Sequence, residues 1–285
     1  MHGWLNINKE PNMTSFDVIR EVRKKFKIKK VGHAGTLDPF ATGVLPIAIG
    51  NATKLIEYLV AKDKTYVFTV EFGKTTDTLD IDGKITDSTE RVPTNEECRS
   101  VINNFLGTLT QIPPKYSAIK INGKRAYDLA RDNQEFEIKP RNVSVHSLEL
   151  LDFDEEKSHA TYRVKCSKGT YIRSLARDIA ESMQTLGFVI RLIREEVGSF
   201  LIDNSIKLNE LSSEKVLSIE DVLDDIPVVD IDRANASKVS NGQNIKIFGD
   251  DETHDLVFIK NNNELISIGS SQNGLYKPLK NFNNY

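Results

Sequence analysis

The sequence predicts a mixed α/β domain followed by a small β-rich domain, and three observations carry that reading. Amphipathic helical segments alternate with short β-branched and aromatic runs through the first two-thirds of the chain. Beyond an acidic stretch at about 220–232, only short strand-like runs separated by turn residues remain. The length of 285 residues suits one large domain and one smaller one, divided here at 1–229 and 230–285.

Leu5-Asn6-Ile7-Asn8-Lys9 alternates apolar and polar residues as a short strand does. Thr14 with Asp17 three residues later reads as a capping box opening a helix. On that helix Val18, Ile19, Val22 and Phe26 form one apolar face, while Arg20, Arg23, Lys24 and Lys27 lie elsewhere and are free to meet phosphates. Residues 31–43 form a loop punctuated by Gly32, Gly35, Pro39 and Gly43. A strand at 44–49, a helix at about 53–61 and a strand at 66–72 follow. Asp80-Ile81-Asp82-Gly83 suits a hairpin turn, because Asp-Gly reaches positive φ with little strain.

A helix is expected at 96–105, and 107–141 reads as a polar, basic, loop-rich insertion. A strand at 161–166, a turn at Ser167-Lys168-Gly169 and a helix at 171–183 come next. Short strands at 245–247, 256–259 and 265–268 compose the small β domain.

The overall charge is −3, which by itself does not suggest a nucleic-acid binder. Its distribution is uneven. Residues 1–60 carry nine Lys/Arg against five Asp/Glu, and residues 201–285 carry eight against fourteen. Phosphate contact needs a basic face rather than a basic total. Lysines that merely solvate a helix would give the same count. Cys98 and Cys166 form no CxxC pair, which supports neither a thiolate zinc site nor a disulfide framework. His33, His146, His159 and His254 lack metal-ligand spacing, so no metal is expected. No run of about 18 apolar residues and no signal-peptide pattern at Met1-His2-Gly3-Trp4 is found, so a cytoplasmic protein is expected.

The 31–43 loop holds His33 and Asp38 within one tightly turned segment, which could present a carboxylate rigidly to a substrate. On these residues alone, Asp38 before Pro39 is more plainly explained as a turn cap. Arg173 opens a helix after Gly169-Thr170-Tyr171-Ile172 and could reach a carboxylate from beneath; a solvated surface arginine is the plainer alternative. Asp80 and Asp82 fail as a calcium loop, since Thr78 and Thr89 would occupy its first and twelfth positions. A phosphatase nucleophile is disfavoured, because Thr75-Thr76-Asp77-Thr78 is not the apolar strand such a motif needs. No Walker loop, nicotinamide fingerprint or Gly-x-Ser-x-Gly is present.

The run Gly32-His33-Ala34-Gly35-Thr36-Leu37-Asp38-Pro39-Phe40-Ala41-Thr42-Gly43-Val44-Leu45-Pro46 resembles the catalytic motif of the tRNA pseudouridine synthase B family. Lys9 with Met13-Thr14-Ser15-Phe16-Asp17, and Lys64-Thr65-Tyr66, resemble two further motifs of that family. So do the segments 111–120 and Asn122-Gly123-Lys124-Arg125-Ala126-Tyr127, and Gly169-Thr170-Tyr171-Ile172-Arg173. Gly242-Gln243 and Lys277-Pro278-Leu279-Lys280 are similar to its C-terminal RNA-binding PUA domain.

The resemblance implies an α+β fold with a mixed, largely antiparallel sheet and a PUA-like domain. It implies conversion of the uridine at position 55 of the tRNA T loop to pseudouridine, a redox-neutral isomerisation without cofactor. Asp38 would be the essential carboxylate, Arg173 would pair with it, and Tyr66 would stack on the flipped base and serve a later proton transfer. His33 would fill the space the base leaves, and Lys9 and Leu192 would line the pocket. Tyr171, Lys120 and Arg141 would join the RNA-binding surface, with the 107–141 insertion as a clamp on the T-arm stem-loop. A monomer without an obligate protein partner is expected. Asn12 stands where the family commonly has Gly, and Asn tolerates the left-handed turn. Ile193 and Glu196 also depart from a more basic family pattern. Three rivals remain at this level: an RNA-fold chaperone without catalysis, a guide-RNA-dependent relative, and a phosphatase using Asp80.

Overall fold

The computed structural model describes residues 1–121, 123–132 and 134–282. Strand β1 (Gly3–Lys9) leads to helix α1 (Ser15–Phe26), which opens with the expected capping box between Thr14 and Asp17. Val18, Ile19 and Val22 are buried, as the apolar face required. Asn12 adopts φ +63°, the left-handed turn expected of it. The short strand β2 (Val31–His33) enters the punctuated loop, and β3 (Thr42–Ile49) leaves it. The helix expected at 53–61 divides into a 3-10 turn at Gly50–Leu55 and α2 (Ile56–Ala61). Strand β4 (Lys64–Phe72) follows, then the hairpin β5 (Lys74–Thr76) and β6 (Ile85–Ser88) around the Asp80 turn.

Helix α3 (Asn95–Ser100) precedes β7 (Gly107–Gln111). Residues 107–111 were expected in the insertion but pair with the main sheet. Only the part beyond them stands apart, with the hairpin β8 (Lys120–Ile121) and β9 (Lys124–Arg125) and helix α4 (Ala126–Arg131). Asn122, part of one quoted motif, lies outside the described residues. Long strand β10 (Arg141–Asp154), β11 (His159–Cys166), helix α5 (Ile172–Ser182) and β12 (Gly187–Val197) complete the framework of the main sheet. The two-residue strand β13 (Phe200–Leu201) pairs with the end of β12.

The main sheet runs β1-β3-β12-β4-β11-β10-β7, with β2 beside β3 and β13 beside β12. Its ladders are antiparallel except β3 with β12, where Ile193 and Arg194 meet Thr42 and Gly43 in parallel. Helix α5 lays Ile172, Leu175, Ala176, Ile179 and Ala180 onto this sheet. Each fully buried Leu or Ile there contributes about 1.5–3 kcal/mol. Contact is close at Gly187, where an added Cβ would lie 2.8 Å from the Ala180 Cβ.

After α6 (Ile219–Val222), a five-stranded sheet forms from β14 (Val228–Asp230), β15 (Ile245–Lys246), β16 (His254–Asn261), β17 (Glu264–Gln272) and β18 (Leu275–Asn281), in the order β14-β16-β17-β18-β15. Helix α7 (Arg233–Ser240), not expected from the sequence, packs against it. Phe258, Ile268 and Phe282 of this region share one apolar cluster with Trp4, Val44 and Leu55, so the two sheets are joined by core rather than by a bare tether. No helix among the described residues is long and apolar enough to cross a membrane.

The parallel junction of β3 and β12 requires glycine at position 43. Gly43 has φ +99°, and an added Cβ would lie 2.3 Å from the Arg194 carbonyl oxygen. Gly107 is also left-handed at φ +84° but has nothing within 4 Å of the same point. Gly43→Ala is therefore expected to lower unfolding stability by at least about 2 kcal/mol, and Gly107→Ala by only about 1 kcal/mol. Urea denaturation of the two variants checks the contrast, and equal losses would contradict it.

Candidate active site

The loop carrying Asp38 is pinned from three sides. From α1, the Ser15 hydroxyl donates to Leu37 O at 3.2 Å and accepts from Leu37 N at 2.9 Å. From β1, the Lys9 ammonium donates to Glu10 O (3.0 Å), Met13 O (2.8 Å) and Pro39 O (3.0 Å). From β12, Arg194 donates through Nε to Val44 O (2.7 Å) and through Nη2 to Gly35 O (3.0 Å). Asn12 N also donates to Pro39 O at 2.9 Å. A loop with this many neighbours holds its carboxylate in one place.

Beneath Asp38 lies Arg173, in the first turn of α5 and only 5% exposed. This overturns the plainer alternative of a solvated arginine. Its Nε meets Asp38 Oδ2 at 2.9 Å and its Nη2 donates to Asp38 Oδ1 at 3.0 Å, a two-pronged pair. Nη2 also donates to Tyr116 O at 2.9 Å, bringing the insertion to the site. Nη1 donates to Thr78 O at 2.8 Å and meets Asp80 Oδ2 at 3.0 Å. Nη1 and Nη2 thus make three hydrogen bonds, and Nε with Asp38 and Nη1 with Asp80 add two ion contacts within 3.0 Å.

Sequence reasoning missed Asp80. The hairpin turn is real, but Asp80 is buried within it and turned onto Arg173. Its carboxylate accepts from the Thr78 hydroxyl (2.6 Å) and from Asp82 N (3.1 Å). Burial pushes the Asp80 carboxyl up, opposed by the Arg173 charge. The signal for it was the very run of hydroxyls before Asp80 that excluded a phosphatase strand: Thr76 and Thr78 are the turn's hydrogen-bond donors.

Tyr66 sits in the middle of the sheet, paired in register with Val164 on one side and Arg194 on the other. Burial raises its phenol, and the nearby Arg194 charge opposes that rise. Leu192 is buried two residues before Arg194, opposite Phe68. His33 is half-buried on β2, and its Nδ1 is buried without a partner. Burial and the Arg194 charge both lower its pKa.

Lys9 was expected to line the pocket. It is fully buried, and its three N–H groups are directed to backbone carbonyls, so it holds the loop rather than facing a substrate. Burial lowers the Lys9 ammonium to about 8, with Asp38 opposing. Tyr171 and Arg141 do come together, with the Arg141 guanidinium 5.3 Å from the Tyr171 ring centroid. Both backbone polar groups of Tyr171 are held by the Gln111 side chain, at 2.8 and 3.1 Å. Lys120 lies on the exposed β8–β9 hairpin, apart from this cluster. Arg194, which the sequence reading did not single out, proves to be one of the largest fully buried side chains. Among the described residues no three His, Cys, Asp or Glu side chains converge as metal ligands.

Replacing Lys9 by Met would leave three carbonyl oxygens without their donor. Lys9→Met is expected to lower unfolding stability by roughly 2–4 kcal/mol, with the catalytic-loop amides exchanging faster than those of the small sheet. Hydrogen exchange checks this, and an unchanged loop would remove Lys9 from its anchoring role.

The family model described as TruB family pseudouridylate synthase (N terminal domain) matches residues 23–172. The chain is 44% identical to tRNA pseudouridine synthase B of Rickettsia bellii, covering 98% of each. It is 47% identical to the protein of the same name from Rickettsia felis, over 84% of this chain and 73% of that one. Among solved structures, a Cbf5-Nop10-Gar1 complex matches with a TM-score of 0.71 and 25% identity over 95% of this chain and 78% of the other. An archaeal box H/ACA Nop10-Cbf5 complex matches with a TM-score of 0.72 and 21% identity, over 98% and 85%, which shows a shared fold. With a family match over more than half its length and a relative similar from end to end, the chain belongs to the TruB family of pseudouridylate synthases.

Proposed function

We propose that this chain is a tRNA pseudouridine synthase that isomerises the uridine at position 55 of the T loop, with Asp38 as its essential carboxylate. The observation that carries the residue assignment is the two-pronged Arg173–Asp38 pair on a pinned loop, with Tyr66 half-buried on β4 next to Arg194, which also holds that loop. The substrate rests on the full-length similarity to proteins named tRNA pseudouridine synthase B.

The reaction breaks the N1–C1′ glycosidic bond, turns the uracil and forms C5–C1′. The C5 proton is lost and N1 gains one, so electrons balance without oxidant, metal or cofactor. Asp38 engages the sugar or the base, and Arg173 fixes both carboxylate oxygens so that one geometry meets the substrate. Tyr66 is the candidate for the C5 proton transfer. The target must leave its folded loop, at a cost of a few kcal/mol, which the enzyme recovers through contacts made only in the flipped state.

RNA contact is assigned to exposed groups around this centre. Helix α1 presents Arg20, Lys24 and Lys27 to solvent, and Ser15 in its first turn holds the Asp38 loop. A phosphate track along α1 would therefore lead to the carboxylate. The insertion reaches Arg173 through Tyr116 O and extends outward through Lys120 and Lys124, as a clamp on the T-arm needs. Residues 230–285 are assigned as a PUA-like domain. The enzyme is taken to act alone, as a monomer, in the cytoplasm where tRNA is modified.

Tritium release from a T-arm stem-loop labelled at uridine C5 tests this reading. Wild type is expected to release one label per T-loop target, unaffected by a chelator. Asp38→Asn is expected to be slower by at least roughly 10⁴-fold while its RNA affinity stays within a few-fold. Release by Asp38→Asn would remove the carboxylate from its role, and tight binding without release by wild type would leave an RNA binder.

A further inference from the structure

Arg194 is a buried charge whose partners are neutral. It is 1% exposed, and its hydrogen bonds go to two backbone carbonyls, Val44 O at 2.7 Å and Gly35 O at 3.0 Å. Among the described residues it forms no ion pair with a carboxylate. A buried guanidinium without a counter-ion costs several kcal/mol, which an apolar residue of similar size would not. Holding the loop does not require that charge, since Lys9 and Ser15 already anchor it from the other side.

Arg194 is the register partner of Tyr66 across β12 and β4, so the two side chains leave the same face of the sheet side by side. Three groups from different elements act on the Tyr66 phenol. Arg194 on β12 favours its charged form, while Asp38 on the loop opposes it. Cys166 on β11 is the third, and burial keeps its thiol neutral, pushed up to about 11. In the resting enzyme, then, a positive and a negative group work against each other on one phenol.

Catalysis removes one of the two. Whether Asp38 bonds to C1′, bonds to C6 or takes a proton from C2′, the carboxylate oxygen gains a covalent bond and gives up its negative charge. Arg173 does not become a new unbalanced cation, because buried Asp80 remains paired with it at 3.0 Å. Arg194 is then the charge left facing Tyr66.

We propose that Arg194 is a positioning residue that stabilises the phenolate of Tyr66 once Asp38 has lost its charge, so that the base for the C5 proton is generated only after the carboxylate has engaged the substrate. The proposal deepens the synthase reading and rests on it. On the C1′ route, formation of the C5–C1′ bond displaces Asp38 from C1′ and returns its charge, which makes the Tyr66 phenolate a stronger base as C5 comes to lose its proton. The proton balance closes within the product. The C5–H electron pair becomes the C5–C6 double bond, and the N1–C6 double bond returns its pair to N1. N1 takes up the proton that Tyr66 gave up, and Tyr66 regains one from C5.

The test reads Tyr66 directly and needs no turnover. The full chain is labelled with 3-fluorotyrosine, and the Tyr66 fluorine resonance is assigned by its loss in Tyr66→Phe. Its pH titration is followed in wild type, Asp38→Asn, and Asp38→Asn combined with Arg194→Lys or Arg194→Met. Asp38→Asn mimics the carboxylate after its charge is lost, and the phenol is expected to ionise at lower pH than in wild type. The shift should survive in part with Lys and vanish with Met. If the Met variant fails to fold, Arg194→Gln in its place removes the charge while keeping amide donors for the two carbonyls. An unmoved midpoint, or an equal downshift without the Arg194 charge, would overturn the proposal. A second arm compares RNA carrying hydrogen or deuterium at C5 in single turnovers. Arg194→Lys should show a larger isotope effect than wild type, because C5 proton loss becomes limiting, and an unchanged effect counts against the proposal. Absence of any turnover by wild type would refute the synthase reading, and the fluorine titration would still report on the Arg194–Tyr66 coupling.

Discussion

The guanidinium of Arg173 is the interaction on which the site depends. Its three nitrogens lie within 3.0 Å of five oxygen atoms drawn from three separate segments: the Asp38 loop, the Thr78–Asp80 turn and the insertion at Tyr116. These segments are distant in sequence and share no sheet ladder, so this side chain is where they converge. Removing one partner of a buried ion pair typically costs about 3–5 kcal/mol, because the remaining charge is stranded. Here it would also release the carboxylate from its fixed orientation. Helix α5 can supply this group because its apolar face, Leu175, Ala176 and Ile179, is packed on the sheet and leaves the first turn beneath the loop.

The second constraint is the seam between β3 and β12. A parallel pairing inside an otherwise antiparallel sheet brings Arg194 against Gly43, and only glycine fits that approach. The same seam places Arg194 beside Tyr66 and under Gly35 and Val44. Fold and site thus share their closest contacts. Lys9 extends the pattern, since a buried ammonium ties β1 to the far end of the same loop through Pro39 O. Buried cations recur around this centre: Lys9 and Arg194 donate to backbone carbonyls, while Arg173 is paired with Asp38 and Asp80.

Much of this was legible in the sequence because it is local. The capping box at Thr14 and Asp17, the left-handed Asn12, the Asp80 hairpin and the helix behind Tyr171 are all short-range features whose residues state their own conformation. Strands β10 and β12 were not seen, because charged residues such as Glu149, Arg191 and Glu195 interrupt their apolar pattern. Those side chains lie on the solvated face, where Arg163 on β11 pairs with Glu195 on β12 across the intervening β4. Strand β7 was hidden in a polar segment because it is a sheet edge with one neighbour. Within the site, family resemblance pointed to Asp38, Tyr66 and Arg173 together. The burial of Asp80 and Arg194, and the inward turn of Lys9, depend on which segments meet in space. No local pattern encodes that, and a charged residue reads as exposed until its partners are known.

The most direct test of the central claim is Arg173→Lys, which keeps the positive charge but lacks the planar fork that grips both oxygens of Asp38. Single-turnover formation of pseudouridine in a T-arm stem-loop would be measured beside RNA affinity and thermal stability. The expected result is a rate at least about 100-fold slower with affinity nearly unchanged, since misplacement of the carboxylate by even 1 Å is enough for such a loss. A lysine variant that folds, binds and turns over at the wild-type rate would contradict the account, because charge alone would then suffice and the two-pronged geometry would be incidental.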